Sequence, residues 1–168
     1  TSLLEARRLA GSSKLFRIFS QAITSGLNPR EFFNAKQFEQ QQRHGRYHEV
    51  TYNLEPNLKE SPGGLRDLQN ILWISRAAGY GKSWSDLVKR GFITREEARL
   101  TKRNEKILQG LRIRLHYLAG RREDRLLFDF QTLLAKEYKI ADKSPRLAGE
   151  ILMQRYYRAA KSVAQINT

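Results

Sequence analysis

Apolar residues recur at spacings of three and four along several stretches of this chain, a rhythm that restricts it to helices packed on helices. Leu65, Leu68, Ile71 and Leu72 begin one stripe, and Ile107, Leu108, Leu111, Leu115 and Leu118 form a second. Ala148, Leu152, Tyr156, Ala159, Val163 and Ile166 make a third. Start and stop signals bracket these runs. Thr94 and Glu97 have the spacing of a capping box, Gly79 and Gly120 stand where helices end, and Ser144-Pro145 opens the last helix. Ser83 or Ser85 caps a short helix to about Lys89, and Leu127 to about Tyr138 reads as another. Upstream, Leu3 to about Ser25 reads as a first helix closed by Gly26. Asn28-Pro29 opens a second, which carries Phe32, Phe33 and Phe38 and fades into the polar run Gln40, Gln41, Gln42, Arg43. The period then changes. Tyr47, Glu49, Thr51 and Asn53 alternate with His48, Val50, Tyr52 and Leu54, a strand-like pattern that Pro56 ends. The expected fold is all-α: a helical bundle over residues 1–168 with a short extended, hairpin-like excursion near residues 47–60.

Composition limits what such a bundle can be. With 168 residues and 40% hydrophobic content the chain has enough apolar material for a core of its own. The absence of cysteine excludes a disulfide framework, a thiolate zinc site and a cysteine nucleophile. No apolar run approaches the roughly 20 residues of a membrane span, and no signal-peptide pattern is present, so the expected setting is the cytoplasm without membrane attachment. The net charge of +14 raises the question of a nucleic-acid partner. Both halves of the chain are basic, carboxylates are interspersed, and no block of five or six like charges occurs, which favours a solvated basic surface. Both termini read as cuts inside a larger multidomain protein, since the chain opens on Thr1 and ends at Thr168 within a helical pattern.

Metal and acid–base chemistry find little support. His44 and His48 are four apart, but Gly45 lies between them and no glutamate follows in the metalloprotease manner. His116 lies among leucines, and Glu123-Asp124 and Glu96-Glu97 are adjacent pairs that point in different directions, arginines surrounding the first, so solvated or salt-bridged carboxylates are expected there. No nucleophile elbow and no phosphate loop of the Gly-x-x-x-x-Gly-Lys type occur.

The informative segment runs from Glu55 to Leu68, Glu-Pro-Asn-Leu-Lys-Glu-Ser-Pro-Gly-Gly-Leu-Arg-Asp-Leu. Two glycines in a helix's first turn cost on the order of 1 kcal/mol each relative to alanine, so something must repay them. One reading is an anion site. A bare backbone permits close approach, first-turn N–H groups lack internal partners, and Lys59 and Arg66 can reach the same anion. The other reading is a tight turn packed on a neighbour, with Arg66 and Asp67 as ordinary surface charges. The residues alone divide these evenly.

Tyr52 to Leu68, with Arg125-Leu126-Leu127-Phe128-Asp129 and the Tyr156-Tyr157-Arg158 region, resembles the bacterial PII uridylyltransferase/uridylyl-removing enzymes. The resemblance covers roughly residues 40–168. A shorter core, Lys59 with Gly63-Gly64-Leu65-Arg66-Asp67, is also similar to glutamine-synthetase adenylyltransferase. The resemblance implies a nucleotidyltransferase domain, then a helical domain carrying this motif, then a phosphohydrolase domain and sensor domains. Such an enzyme transfers UMP from UTP to a tyrosine of the signal protein PII when nitrogen is scarce, and removes it when glutamine is abundant. Transfer in that superfamily uses magnesium held by an Asp-x-Asp pair after a Gly-Ser. No two aspartates here are two apart, and no histidine precedes an aspartate as the hydrolase domain requires. The chain is therefore expected to be inactive alone, with magnesium bound by a domain outside it. Its implied partners are UTP, PII and its own nucleotidyltransferase and hydrolase domains. Lys59, Ser61, Gly63, Gly64, Arg66 and Asp67 are the candidate phosphate-proximal residues. Two alternatives are the equivalent domain of the adenylyltransferase and a basic helical nucleic-acid-binding module. No clustered basic stripe along the sequence favours the second.

Overall fold

The computed structural model describes residues 2–48, 54–140 and 144–166. Seven α-helices are formed among them: α1 Ser13–Ser25, α2 Pro29–His48, α3 Leu65–Ala77, α4 Trp84–Lys89, α5 Arg95–Ala119, α6 Phe128–Glu137 and α7 Pro145–Ile166. The all-α expectation holds. No helix among the described residues is long and apolar enough to cross a membrane.

Where the sequence carries explicit punctuation, boundaries fall as expected. Thr94 and Glu97 close a reciprocal capping box on α5, and Gly120 ends that helix in the left-handed conformation. Ser83, rather than Ser85, caps α4 through Asp86 N–H. Leu127 is the N-cap of α6 and Tyr138 its C-cap. Asn28 Oδ1 accepts from the Arg30 and Glu31 N–H groups at 3.1 and 3.3 Å, which starts α2.

Two boundaries differ from the sequence reading. The first helix does not start at Leu3: Ser2–Glu5 is a short 3-10 turn, Gly11 sits at φ +90°, and Ser12 caps α1 at Leu15 N–H. The left-handed glycine breaks the run and the serine restarts it. The second helix does not fade at Gln40 but continues to His48, so Tyr47 and His48 are helical. Its inward face consists of Phe32, Lys36, Gln40, Arg43, His44 and Tyr47, with Lys36 and Arg43 buried. The face has helical period but is built mainly from polar residues, which an apolar stripe does not reveal. The rest of the alternating pattern, residues 49–53, lies outside the described residues. From Leu54 onward the chain is non-helical up to Gly64 and contributes a single antiparallel bridge, Asn57 to Arg125.

The core lies among α3, α5, α6 and α7. The stripes named from the sequence meet there: Leu65 and Leu68, then Leu108, Leu111 and Leu115, then Leu152, Tyr156, Ala159 and Val163. Leu58 and Leu126, from the two non-helical segments, are completely buried in the same cluster. The 54–64 segment is thus a core component, stapled to the α5–α6 connection. Leu58 N–H donates to Asp124 O at 2.8 Å, Leu126 N–H to Pro56 O at 2.9 Å, and Phe128 N–H to the Glu55 carboxylate at 3.0 Å. Gln131 Nε2 donates to both Leu54 O and Leu126 O, which closes the staple from α6.

Gly63 lies where this segment meets α7. Its φ is +74°, and a Cβ there would stand 2.1 Å from the Ala160 carbonyl oxygen, against backbone that cannot rotate aside. Gly79 has nearly the same φ, +73°, but open space around it. Gly79→Ala is therefore expected to cost only the left-handed strain, about 1–2 kcal/mol. Gly63→Ala should cost that plus an overpacking term of about 1–3 kcal/mol, read from denaturant unfolding of both variants. Equal losses would show that α7 does not press on this turn.

Candidate functional site

The Ser61-Pro62-Gly63-Gly64 turn delivers the chain into α3, and nearly every backbone donor in it is occupied by the turn itself. Asn57 Oδ1 accepts from Lys59 and Glu60 N–H at 3.0 and 2.8 Å, and Ser61 Oγ accepts from Asn57 N–H at 2.9 Å. Gly64 N–H donates to Ser61 O at 2.8 Å, Leu65 N–H to Leu58 O at 3.1 Å, and Arg66 N–H to Lys59 O at 2.9 Å. Gly63 N–H donates to the Asp67 carboxylate at 2.7 Å. The unpartnered first-turn donors that would make this helix start an anion site are consumed. The glycine pair has another cause. A Cβ at Gly64 would meet the Ser61 and Lys59 carbonyl oxygens at 2.7 and 2.8 Å, and Gly63 abuts α7. Close backbone packing repays the two glycines.

Asp67 is not a surface charge. Its side chain is fully buried and forms the centre of a hub. Arg43 Nη2 donates to Oδ1, His44 Nε2 lies 3.0 and 3.1 Å from the two carboxylate oxygens, and the Gly63 N–H reaches Oδ2. Burial pushes the Asp67 carboxyl up, but the hydrogen bonds and charges of His44 and Arg43 outweigh it and hold the group below the ordinary aspartate range. Arg43 also donates Nη1 to the Glu60 carbonyl at 2.8 Å. One arginine from α2 therefore ties α3 to the turn before it.

Lys59 and Arg66 do converge on one anion, as the sequence suggested, but that anion is the Glu60 carboxylate. Lys59 Nζ stands 3.3 Å and Arg66 Nη2 3.1 Å from Glu60 Oε1. Burial raises the Glu60 carboxyl, and the two cations bring it net below its usual value. The Arg66 guanidinium also lies 5.2 Å from the Trp73 ring centroid, and Lys36 Nζ 5.1 Å from the same ring. Ser61, Gly63, Gly64 and Asp67 shape the turn, while Lys59 and Arg66 are its two partly exposed cations.

A second hub braces the other end of the staple. Asp124 accepts from Arg112 Nε at 2.6 Å and lies 2.9 Å from His116 Nε2. Burial again raises its carboxyl, and these two partners lower it below the usual range. The expectation of salt-bridged carboxylates at Glu123-Asp124 is met, and His116 is a partner of that bridge. Arg43 and His44 were missed as hub residues. Their signal was the three- and four-residue spacing from Phe32 through Lys36, Gln40 and Arg43, visible only if polar residues are admitted to the stripe.

No group of three or more metal-ligating side chains is gathered among the described residues. The hub carboxylates do not fit a magnesium ion either. Asp67 is enclosed by Arg43, His44 and Gly63, and Glu60 by Lys59 and Arg66, so their oxygens face protein cations.

The three stretches that carried the family resemblance meet in space: residues 54–68, the Arg125–Asp129 segment stapled to them, and α7 around Tyr156. Tyr156 is buried, and desolvation, Tyr157 and the Asp67 charge together push its hydroxyl far above the ordinary tyrosine range. It stays a neutral phenol.

The family model described as GlnD PII-uridylyltransferase matches residues 31–168. The chain is 68% identical over all 168 residues to a bifunctional uridylyltransferase/uridylyl-removing enzyme of Nitrosospira multiformis, of which it covers 19%. It is 56% identical over 167 residues to the protein of that name from Bordetella avium, and 55% identical over 168 to that from Burkholderia mallei, covering 20% of each. The chain thus spans about one fifth of the length of the curated relatives it matches. No solved structure matches it.

The hub predicts how stability depends on pH. A carboxyl held low in the folded state stabilises it above the ordinary aspartate range, and that contribution is lost as pH falls through the folded-state value. Asp67→Asn leaves buried Arg43 with only the more distant Glu60 carboxylate, 3.8 Å from its Nε, and is expected to cost about 3 kcal/mol at neutral pH. The gap to the wild type should shrink in acid, as the wild-type carboxyl itself becomes protonated. Denaturant unfolding across a pH series checks this, and a gap that stays constant into acid would remove Asp67 as the titrating group.

Proposed function

The chain belongs to the GlnD PII-uridylyltransferase family, and from that premise we propose that it is the helical domain of an enzyme that transfers UMP from UTP to a tyrosine of PII and removes it again. The domain packs on the catalytic nucleotidyltransferase domain and helps to form the cleft that receives nucleotide and PII. It contributes geometry rather than bond chemistry. The sequence holds no Asp-x-Asp pair and no His-Asp pair, so magnesium and both reacting centres belong to other domains of the parent protein.

The observation that carries this reading is the meeting of the three family-like stretches in one braced unit. The Asp67 hub, the turn on Ala160 and the staple from residues 54–58 to 124–131 convert a non-helical segment into a rigid edge. Ser61, Gly63, Gly64 and Asp67 fix the shape of that edge. Lys59 and Arg66 are the phosphate-proximal cations. Resting on Glu60, they exchange one carboxylate for the phosphates of UTP when the nucleotidyltransferase domain presents them. Such an exchange keeps both cations paired throughout, while Arg43 Nε, 3.8 Å from the other Glu60 oxygen, stays beside the carboxylate they leave.

The test uses the full-length parent enzyme, labelled UTP, magnesium and purified PII. Lys59→Ala with Arg66→Ala is expected to raise the KM for UTP about tenfold, the loss of roughly 1.4 kcal/mol of charge-assisted hydrogen bonding. The variant's melting temperature serves as the control for folding. Unchanged UTP kinetics in a folded variant would make the turn purely structural. Transfer from ATP to glutamine synthetase, and not from UTP to PII, would replace this reading with the adenylyltransferase one.

A further inference from the structure

A groove of about 1280 Å³ runs between α5 and α7, and its lining holds seven lysines and arginines and no aspartate or glutamate. Arg103 and Lys106 stand three apart on α5, and Arg155 and Arg158 three apart on α7, so each pair shares a helix face. All four are exposed, and none forms a salt bridge among the described residues. Of the carboxylates on the same two helices, Glu96 pairs with the groove-lining Arg99, Glu97 accepts from Thr94 N–H, Glu105 accepts from Trp84 Nε1, and Glu150 pairs with Arg146. Apart from that Glu96–Arg99 pair, the groove does not intersperse the two signs as a solvated basic face would.

Its floor adds a second observation. Asn104 is 6% exposed and lines the groove, yet its side-chain Nδ2 has no acceptor. A buried donor without a partner costs on the order of 1–3 kcal/mol, and the residue that supplies an acceptor recovers it. Beside it the floor is apolar, with Ile107, Leu111, Leu152 and Ala159.

Size and composition identify the occupant. Small-ligand pockets hold roughly 300–1,000 Å³, and this groove exceeds that range. Single-stranded nucleic acid needs a succession of stacking aromatics, whereas the groove offers only Tyr138, already stacked by Arg114 at 4.4 Å. Apolar floor, cationic rims and a buried amide donor suit an amphipathic acidic segment of a protein laid between two helices. We propose that the α5–α7 groove is the docking site for an acidic segment of the enzyme's protein substrate. This deepens the preceding reading and rests on it, because an enzyme that modifies a protein must hold that protein reversibly. Rim charges of one sign serve such an encounter by speeding association and fixing orientation.

The experiment uses the full-length parent enzyme with UTP and PII. Arg155→Glu with Arg158→Glu, and separately the milder Arg155→Gln with Arg158→Gln, are compared with the wild type for the KM of PII and of UTP. The expected result is a KM for PII raised about tenfold or more by charge reversal and less by neutralisation, with weaker salt dependence than the wild type. The KM for UTP should stay within about twofold. Acetylation footprinting gives a local readout, with Lys106 expected to be protected by added PII and Lys82 unaffected. An unchanged KM for PII in a folded variant overturns the proposal. So does a rise in the KM for UTP instead, which would make the groove a phosphate site. Protection of Lys106 before PII is added, or by RNA and not by PII, assigns the groove to the enzyme's own polypeptide or to nucleic acid and likewise overturns it. A wild-type enzyme that transfers no UMP to PII would remove the underlying reading, and this inference with it.

Discussion

The buried carboxylate of Asp67 is the contact on which the rest of the architecture depends. It joins α2, through Arg43 and His44, to α3 and to the Gly63 N–H of the turn that enters it. A charge in that position would be intolerable alone, since the desolvation of an isolated carboxylate far exceeds any single hydrogen bond. Three donors make it a lock. Removing any one leaves the others directed at a poorly compensated charge, so the turn, α2 and α3 hold their positions together or not at all. The Arg112–Asp124–His116 group repeats the device where α5 leads into α6. Between the two hubs lies the non-helical 54–64 segment, which is fixed by these contacts, by the staple to residues 124–131, by Gly63 against α7 and by buried Leu58.

Most of the fold was legible in the sequence because most of its signals are local. Caps, left-handed glycines and apolar stripes act within one or two turns, and α3 to α7 begin and end within a residue or two of where those signals stand. The exceptions have physical causes. α2 turns a polar face inward, with Lys36 and Arg43 buried, so its last two turns carry no apolar rhythm and residues 47 and 48 read as the start of a strand. Gly11 and Ser12 interrupt a run of leucines and phenylalanines that looked continuous. In both cases apolar periodicity does not follow the backbone: the inward face of α2 is polar, and the apolar run before α1 is broken by a left-handed glycine.

The candidate site was legible in its residues and not in its contacts. Lys59, Ser61, Gly63, Gly64, Arg66 and Asp67 do lie together, yet the reason for two glycines could not be decided without knowing what stands against them. The Ala160 carbonyl does, from nearly one hundred positions later in the chain. Glu60 was overlooked because a glutamate beside a lysine reads as a surface pair, whereas here it is the anion that both Lys59 and Arg66 hold. The family-like stretches were recognisable one at a time, and their meeting is a property of the fold alone.

The same division explains where the excess positive charge goes. Inside the bundle each carboxylate is matched to arginine and histidine, because a low-dielectric interior penalises any imbalance heavily. The surplus at the surface is set by composition, 31 lysines and arginines against 17 aspartates and glutamates. Part of that surplus lines the seam of α5 and α7, where seven lysines and arginines are split between two helices about fifty residues apart and so form no stripe visible in either. Repulsion held in place by the packing of two long helices is stored electrostatic energy. In the docking we propose, a partner bearing carboxylates would relieve that repulsion on binding.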